Sequence, residues 1–401
     1  MQRNPADSSV SRRSFMAAAT AASAFTIVQP SAVRGAAANS VIELGLVGAG
    51  GRGSWIAKLF AETGKYRFAA VADYFQDRVD AVGEEHGIDQ ARRHTGLSGY
   101  KRLLEGKLDA VVIQTPPVFH PQQAMDSIDA GKHVYIAKPI AIDAPGCLTI
   151  AAAGRKATDK KLVFLVDFQT RANEHYRECL RRVREGHIGK IVMGDARYPW
   201  SGGGRAEPSA NPEERLRNWY HAVEISGDFI VEQSIHSLDV ATWILDADPI
   251  SALGFGGRKL RPAKGIYDHF AIHYFFPEKT LLTFNCIQSI PAVIDEIIAR
   301  VYGSDGYIQT DYYGDVMVRG KQFYRGNNKN LYTSGTQVNI AEFYQAIVEG
   351  KTDNPTVAPS VRSNLTAVLG REAAYRGGEL TLDALIREGK RLEPDLKGLK
   401  A

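Results

Sequence analysis

The sequence predicts an α/β chain: a doubly wound parallel sheet in the N-terminal half, then an α+β domain with a large, mostly antiparallel open sheet. Apolar runs rich in Val and Ile alternate with helical patterns from Val41 to Phe168, as in strands buried on both faces of a parallel sheet. A glycine loop stands between the first such run and the first helical pattern. After Phe168 the texture changes to β-branched and aromatic runs separated by turn residues.

Residues 1–38 read as an export leader. Arg3, Arg12 and Arg13 give a basic start, Phe15 to Val28 is apolar and alanine-rich, and Ala36 to Ala38 offer a signal-peptidase site. That is the order of a signal peptide, and the apolar run is too short to span a bilayer. Arg12-Arg13 before Ser14-Phe15 resembles the twin-arginine signal, whose export machinery accepts folded cargo. The expected location is therefore periplasmic or otherwise exported, with the mature chain starting near Asn39.

The parallel-sheet domain is expected over 39–168. Its strands are "VIELGLVG", "YRFAAVAD", "LDAVVIQT", "KHVYIAKP" and "KLVFLVDF". Helices fall at "SWIAKLFAE", which puts Trp55, Ile56, Leu59 and Phe60 on one face, at "FHPQQAMDSIDAG" and at "PGCLTIAAAGRKA". The α+β domain is expected over 169–385. It opens on a helix at Glu174 to Glu185 and "KIVMGDARYPW", followed by a polar stretch rich in Gly and Pro up to Arg217. Further strands are "HFAIHYFFP", "TLLTFNCIQ", "EIIARVYGS" and "GYIQTDYYG". Helices at "IAEFYQAIVEG" and "SVRSNLTAVLGREAAYRGG" are candidates to return to the first domain, and 386–401 is a tail.

Charge and cysteine usage narrow the function classes. Lys and Arg are scattered among Asp and Glu, leaving a net charge of +4 and no basic field organised for nucleic acid. Cys147, Cys179 and Cys286 lie far apart without a CxxC, which reads as packing rather than as a disulfide framework or a metal site.

The loop "GLVGAGGRGSW" fits GxGxxG with Gly48, Gly50 and Gly53, and Gly51 and Arg52 lie within it. Gly48 permits the tight turn, Gly50 lets the backbone approach a pyrophosphate, and Gly53 allows close helix–strand packing. This is the Rossmann arrangement. Asp73 ends the second strand, where a carboxylate accepts from the adenosine ribose hydroxyls and repels a 2′-phosphate. NAD is thus favoured over NADP, with Arg52 or Arg78 able to soften the preference. The plain alternatives are an ordinary strand–helix turn for the glycines and a helix cap for Asp73.

Gln114 to Asp143 begins at the C-terminal edge of the third apolar strand, where open α/β sheets bind ligands. Lys138 precedes Pro139, which restricts its backbone to extended geometry. Here "TPPVFH" followed by "AGKHVYIAKPIA" resembles the TPxxxH and AGKHVxxEKPxA signature of the Gfo/Idh/MocA family, the glucose-fructose oxidoreductase and inositol dehydrogenase group. Ala137 stands where that family usually has glutamate. "FQTRANEHYRECLRRVREGHIGKIV" is similar to the start of the family's second domain. "SGDFIVEQSIHSLDVATWIL" is similar to its DxGxHxxD helix, with Glu232 for aspartate and Ser234 for glycine. "NIAEFYQAIVEG" resembles its C-terminal helix, so the likeness covers roughly residues 41–385.

The resemblance implies that Thr115, Pro116, His120, Lys138 and Gln169 serve the cofactor. It also implies that Lys138 and His236 meet the substrate, with Glu232 or Asp239 in support. Histidine exchanges protons near neutral pH and a carboxylate orients it, while lysine stabilises a developing alkoxide. His236 is assigned as general base and Lys138 as stabiliser, the reverse assignment remaining open. Substrate contacts are expected from Arg171, Trp200, Trp219, Tyr220, His221 and Asp239, with Tyr198 and Arg217 nearby. Aromatic faces beside polar groups suit sugar rings.

The expected function is an exported NAD(P)-dependent oxidoreductase acting on a secondary hydroxyl of a sugar, polyol or glycoside. Free NAD is not maintained outside the cytoplasm, so the cofactor is expected to be non-dissociable. Redox-neutral glycoside cleavage through transient oxidation is one alternative, and a sugar-binding protein with a structural nucleotide is another. A homo-oligomer is expected, and no metal.

Overall fold

A computed structural model describes residues 41–401. The leader expected over 1–38 lies outside the described residues. Among those residues six parallel strands form one sheet: β1 (Ile42–Val47), β2 (Tyr66–Asp73), β3 (Arg93–Thr95), β4 (Ala110–Ile113), β5 (His133–Ala137) and β6 (Phe164–Asp167). Their spatial order is β3-β2-β1-β4-β5-β6, which reverses between β1 and β4 and opens a crevice at the strands' C-terminal ends. Helices α1 (Gly51–Glu62), α2 (Gln76–Glu85), α3 (Gly99–Leu104), α4 (His120–Asp129) and α5 (Ala144–Asp159) connect them. All four residues of β4 are buried, which is why the strand reads as an unbroken apolar run. Strand β3 pairs only with β2, and its Arg-His-Thr has no apolar residue to announce it.

After α6 (Gln169–Ala172) and α7 (Glu174–Arg184) the second sheet begins with β7 (Ile191–Trp200). Helices α8 (Pro212–Arg217), α9 (Val223–Ser226), α10 (Phe229–Glu232) and α11 (Ile235–Leu245) follow. The sheet continues with β8 (Ser251–Gly257), β9 (His269–Phe275), β10 (Leu281–Gln288), β11 (Ile298–Gly303), β12 (Gly306–Asp311), β13 (Asp315–Arg319) and β14 (Tyr324–Asn327). Helices α12 (Leu331–Glu349) and α13 (Val357–Arg376), strand β15 (Glu379–Thr381) and α14 (Leu382–Glu388) complete the chain's regular elements. The sheet order is β14-β13-β12-β11-β7-β10-β9-β8-β15; β7 and β10 run parallel and the other pairs are antiparallel. Phe270, Ile272 and Tyr274 of β9 are buried while Ala271, His273 and Phe275 face outward. The buried face packs under α11 and α13.

Two returns tie the halves together. Ile340, Phe343 and Tyr344 of α12 join a core with Leu44, Ile56, Phe60, Tyr66 and Tyr135, and the Tyr66 hydroxyl donates to the Ile340 carbonyl at 2.8 Å. At about 2 kcal/mol for each large buried side chain, this contact holds α12 on the first sheet. The segment 386–401 then runs back over the nucleotide side, where the Leu392 amide donates to Asp143 Oδ2 at 2.9 Å. No helix among the described residues is long and apolar enough to cross a membrane.

Candidate active site

The glycine loop is built as a cradle. Gly48 has φ +94°, and a Cβ there would lie 2.6 Å from the backbone of Gln114 and Thr115. A Cβ on Gly53 would lie 1.9 Å from the Gly48 carbonyl oxygen, so loop and helix touch only because both residues are glycine. By contrast Gly51 meets nothing within 4 Å, and Gly50 meets only the Arg78 guanidinium, at 3.4 Å. Helix α1 starts there with no side-chain cap. Open space in front of uncapped helix amides fits a pyrophosphate.

Asp73 lies at the edge of this cradle. Its Oδ2 accepts from the Ala49 amide at 2.8 Å and its Oδ1 from the Phe75 amide at 3.0 Å. Burial raises its pKa against the pull of those amides and of Arg78, 3.9 Å away. Each oxygen retains a lone pair for a ribose hydroxyl. A pocket beside it is lined by Tyr74, Phe75, Leu97, Thr115, Pro116 and Leu216, among others, and offers apolar and aromatic walls next to the carboxylate. Thr115 is oriented by Gln123, to whose Oε1 its hydroxyl donates at 2.6 Å.

His120 does not face this cradle. Its Nδ1 lies 2.7 Å from the Pro139 carbonyl and its Nε2 2.7 Å from the Thr115 carbonyl, and the one N–H of the neutral ring donates to one of the two. Burial pushes its pKa down to about 4 against those carbonyls. It joins the ends of β4 and β5 through the Thr115 and Pro139 carbonyls, next to Lys138.

Lys138 leaves the end of β5 and meets α10. Its Nζ donates to the Glu232 carbonyl oxygen at 2.6 Å and lies 3.4 Å from Glu232 Oε1. Both side chains are nearly buried, and Glu232 Oε2 has no partner among the described residues. Burial lowers the lysine's pKa, opposed by the glutamate's charge. His236 stands one element on, in the first turn of α11; residues 233 and 234 interrupt the helix, so Glu232 and His236 do not share one helical face. The ring packs edge-on to Phe168 with centroids 6.2 Å apart, and Nδ1 has no partner among the described residues. Burial, then the positive charges of Lys138 and Arg52, hold its pKa well below the usual value. Lys138 thus lies near enough to His236 for its charge to disfavour the imidazolium.

Residues the sequence did not single out set this geometry. Asp228, at φ +70°, accepts from the Phe229 and Tyr267 amides at 2.6 and 2.9 Å and from the Tyr375 hydroxyl at 2.5 Å. It fixes the turn that launches α10. Arg371 of α13 is 1% exposed and donates to the Ile142 carbonyl at 2.6 Å and the Gly227 carbonyl at 3.0 Å. One buried guanidinium therefore spans the segment after Lys138 and the segment before Glu232. Asn364 adds to it, accepting from the Ile140 amide at 3.1 Å and donating to the Ala141 carbonyl at 3.0 Å. Arg371 was hidden because an arginine among helical polar residues reads as solvated.

The remaining expected residues divide. Arg52 ion-pairs with buried Asp167 and donates to the Tyr332 hydroxyl at 2.8 Å, so it braces the glycine loop against β6 and α12. Gln169 is buried, with Nε2 3.4 Å from Thr336 and Oε1 unpartnered among the described residues. Arg171 and Asp239, expected at the substrate, are instead buried on each other, Nη2 to Oδ1 at 2.8 Å and Nε to Oδ2 at 3.0 Å. Trp243 stacks on that guanidinium, and the pair knits α6 to α11. Tyr220 and Tyr198 lie near Glu232: burial first, and that carboxylate in addition, raise both phenols' pKa. Their hydroxyls contact Gln288 Oε1 at 2.8 Å and Gln233 Oε1 at 3.2 Å. Trp200 closes β7 under Gly202, and Trp219 to His221 form one turn whose His221 ring lies beside Gly204. A further residue is Tyr312, after β12. Its ring is 5.7 Å from that of His236, and its buried hydroxyl has no partner among the described residues.

Comparison with known proteins identifies both domains. Residues 42–166 match the signature "Oxidoreductase family, NAD-binding Rossmann fold", and residues 176–309 match the GFO/IDH/MocA C-terminal domain. The chain is 25% identical over 345 residues to the inositol 2-dehydrogenase of Rhizobium meliloti (strain 1021), an alignment covering 84% of this chain and 96% of that protein. It is 29% identical over 164 residues to the alpha-N-acetylgalactosaminidase of Shewanella oneidensis, covering 39% of this chain and 35% of that protein. A levoglucosan dehydrogenase solved with NADH and levoglucosan superposes with TM-score 0.69 at 18% identity, over 86% of this chain and 100% of that one. With both domain signatures matched on the fold just described, the chain belongs to the Gfo/Idh/MocA family of NAD-binding oxidoreductases.

Proposed function

We propose that this enzyme oxidises a secondary hydroxyl of a sugar, polyol or glycoside, using an NAD that stays bound between turnovers and is re-oxidised by passing its hydride to a second carbonyl compound, and that it works after twin-arginine export. The observation that carries the reading is the Lys138–Glu232 pair beside a neutral His236, at the C-terminal edge of the nucleotide-binding sheet. The glycine loop would hold the pyrophosphate, Asp73 the adenosine ribose, and Thr115 and Pro116 the wall of the adenosine pocket. When bound, the nicotinamide supplies a hydride acceptor.

The protein's own groups handle the proton. A base must start unprotonated, and His236 does, since burial and two nearby cations disfavour imidazolium. It takes the proton of the substrate hydroxyl. Lys138 donates to Glu232 and so presents a positive charge where oxygen becomes alkoxide. Glu232 keeps that ammonium charged inside a buried cleft. The inositol dehydrogenase relative and the sugar-bound structural neighbour support a polyhydroxylated substrate. Asp73 supports NAD over NADP, because a 2′-phosphate would meet a buried carboxylate already oriented by two amides.

The glycosidase relative favours a second reading, cleavage of a glycoside through transient oxidation, with His221, or Tyr220 near Glu232, as candidate leaving-group acid. One experiment separates the two. The purified protein is mixed with a panel of glycosides without added NAD, and reduced-nicotinamide absorbance is followed beside sugar release. Accumulated reduced cofactor supports oxidation. Free sugar without net reduction supports cleavage, and neither signal across the panel refutes both.

A further inference from the structure

Two segments far from the adenosine pocket in sequence border it, and both meet at Tyr74. The first is α8, whose Leu216 lines the pocket. Arg217 lies over the Phe75 ring, 3.9 Å from its centroid, and holds Asp77 through two contacts of 3.0 Å. The second is the tail. The Leu97 amide, in the pocket wall, donates to the Lys400 carbonyl at 3.0 Å. A side chain on Gly96 would collide with the backbone of residue 401. The Tyr74 hydroxyl joins the two, donating to Glu213 Oε1 at 2.6 Å and accepting from the Lys400 amide at 3.1 Å.

We propose that α8 and residues 392–401 form a clasp over the adenosine end of the nucleotide, knotted at the Tyr74 hydroxyl, and that this clasp sets the rate of nucleotide release. The proposal rests on the nucleotide reading of the pocket and deepens it. The surface ion pair of Arg217 and Asp77 is exposed and weak on its own. Retention comes instead from geometry: Leu216 of α8 stands in the pocket wall, and the tail backs the Gly96–Leu97 wall and the Tyr74 hydroxyl from outside. Tyr74 follows Asp73 directly, so the clasp is fastened to the residue next to the one that would hold the ribose.

The test uses the full chain loaded with NADH and two variants, Tyr74→Phe and a deletion of residues 393–401. Stopped-flow fluorescence follows release of NADH into excess ADP-ribose. Tyr74→Phe removes two hydrogen bonds while keeping the ring, and a rise in release rate of about tenfold is expected, with a larger rise for the deletion. For the tail deletion, whose residues do not line the pocket, single-turnover oxidation by enzyme saturated with cofactor, and the KM for sugar, are expected to stay unchanged. Release from both variants at the unaltered rate overturns the clasp and leaves the nucleotide reading standing. Unaltered protein that neither carries NAD(H) as purified nor binds added NADH overturns both.

Discussion

Replacing Arg371 by methionine separates stability from site geometry. The guanidinium makes hydrogen bonds to the Ile142 and Gly227 carbonyls and to the Glu372 carboxylate, the last at 2.9 Å, and its exposure is 1%. Methionine fills similar volume but leaves the Glu372 carboxylate, 5% exposed, with only distant cations at 3.8 and 3.9 Å. Removing one partner of a buried ion pair costs about 3–5 kcal/mol, and the stranded carbonyls add about 1 kcal/mol after relaxation. Arg371→Met should therefore lose about 4–6 kcal/mol in urea unfolding. Adding Glu372→Leu removes the stranded charge and should restore about 3 kcal/mol. Activity should not return with it, because the link between the Lys138 and Glu232 segments is still missing. A methionine variant as stable as the unaltered protein, or a double variant with full kcat, would show that Arg371 does not organise the cleft.

Four further outcomes follow from the site. Because the His236 pKa is held well below 6.5, the acidic limb of kcat/KM should lie well under pH 6.5, and His236→Asn should abolish that limb while lowering kcat about 100-fold or more. The unfolded chain takes up that proton near 6.5, so native stability should fall as pH drops below 6.5, less steeply in the asparagine variant by urea titration. Tyr312→Phe removes a hydroxyl without a protein partner, so stability should hold while the sugar KM rises about fivefold in steady-state assays. Gly53→Ala forces a Cβ to 1.9 Å from the Gly48 carbonyl oxygen, and NADH binding by fluorescence titration should be lost.

Periodic burial made much of the fold legible. Strands β1, β2, β4, β5 and β6 are buried enough to read as apolar runs, and the glycine loop is dictated by contacts no side chain survives. Strand β3 escaped because an edge of three polar residues has no such pattern. At the site, Lys138, Glu232 and His236 were visible through a motif. What the motif could not convey was pairing at a distance: that Arg171 is consumed by Asp239, His120 by two carbonyls, and Arg52 by Asp167. Those partners lie 68, 19 and 115 positions or fewer apart along the chain, and only the folded topology joins them.

The return of α12 to the first sheet governs the order of events at the ribosome. Until Ile340, Phe343 and Tyr344 have been translated, the nucleotide half lacks a wall of its own interior. The segments that cover the adenine arrive later still. Vectorial synthesis thus cannot deliver a finished cofactor-holding half early, and loading with nucleotide becomes a property of the nearly complete polypeptide.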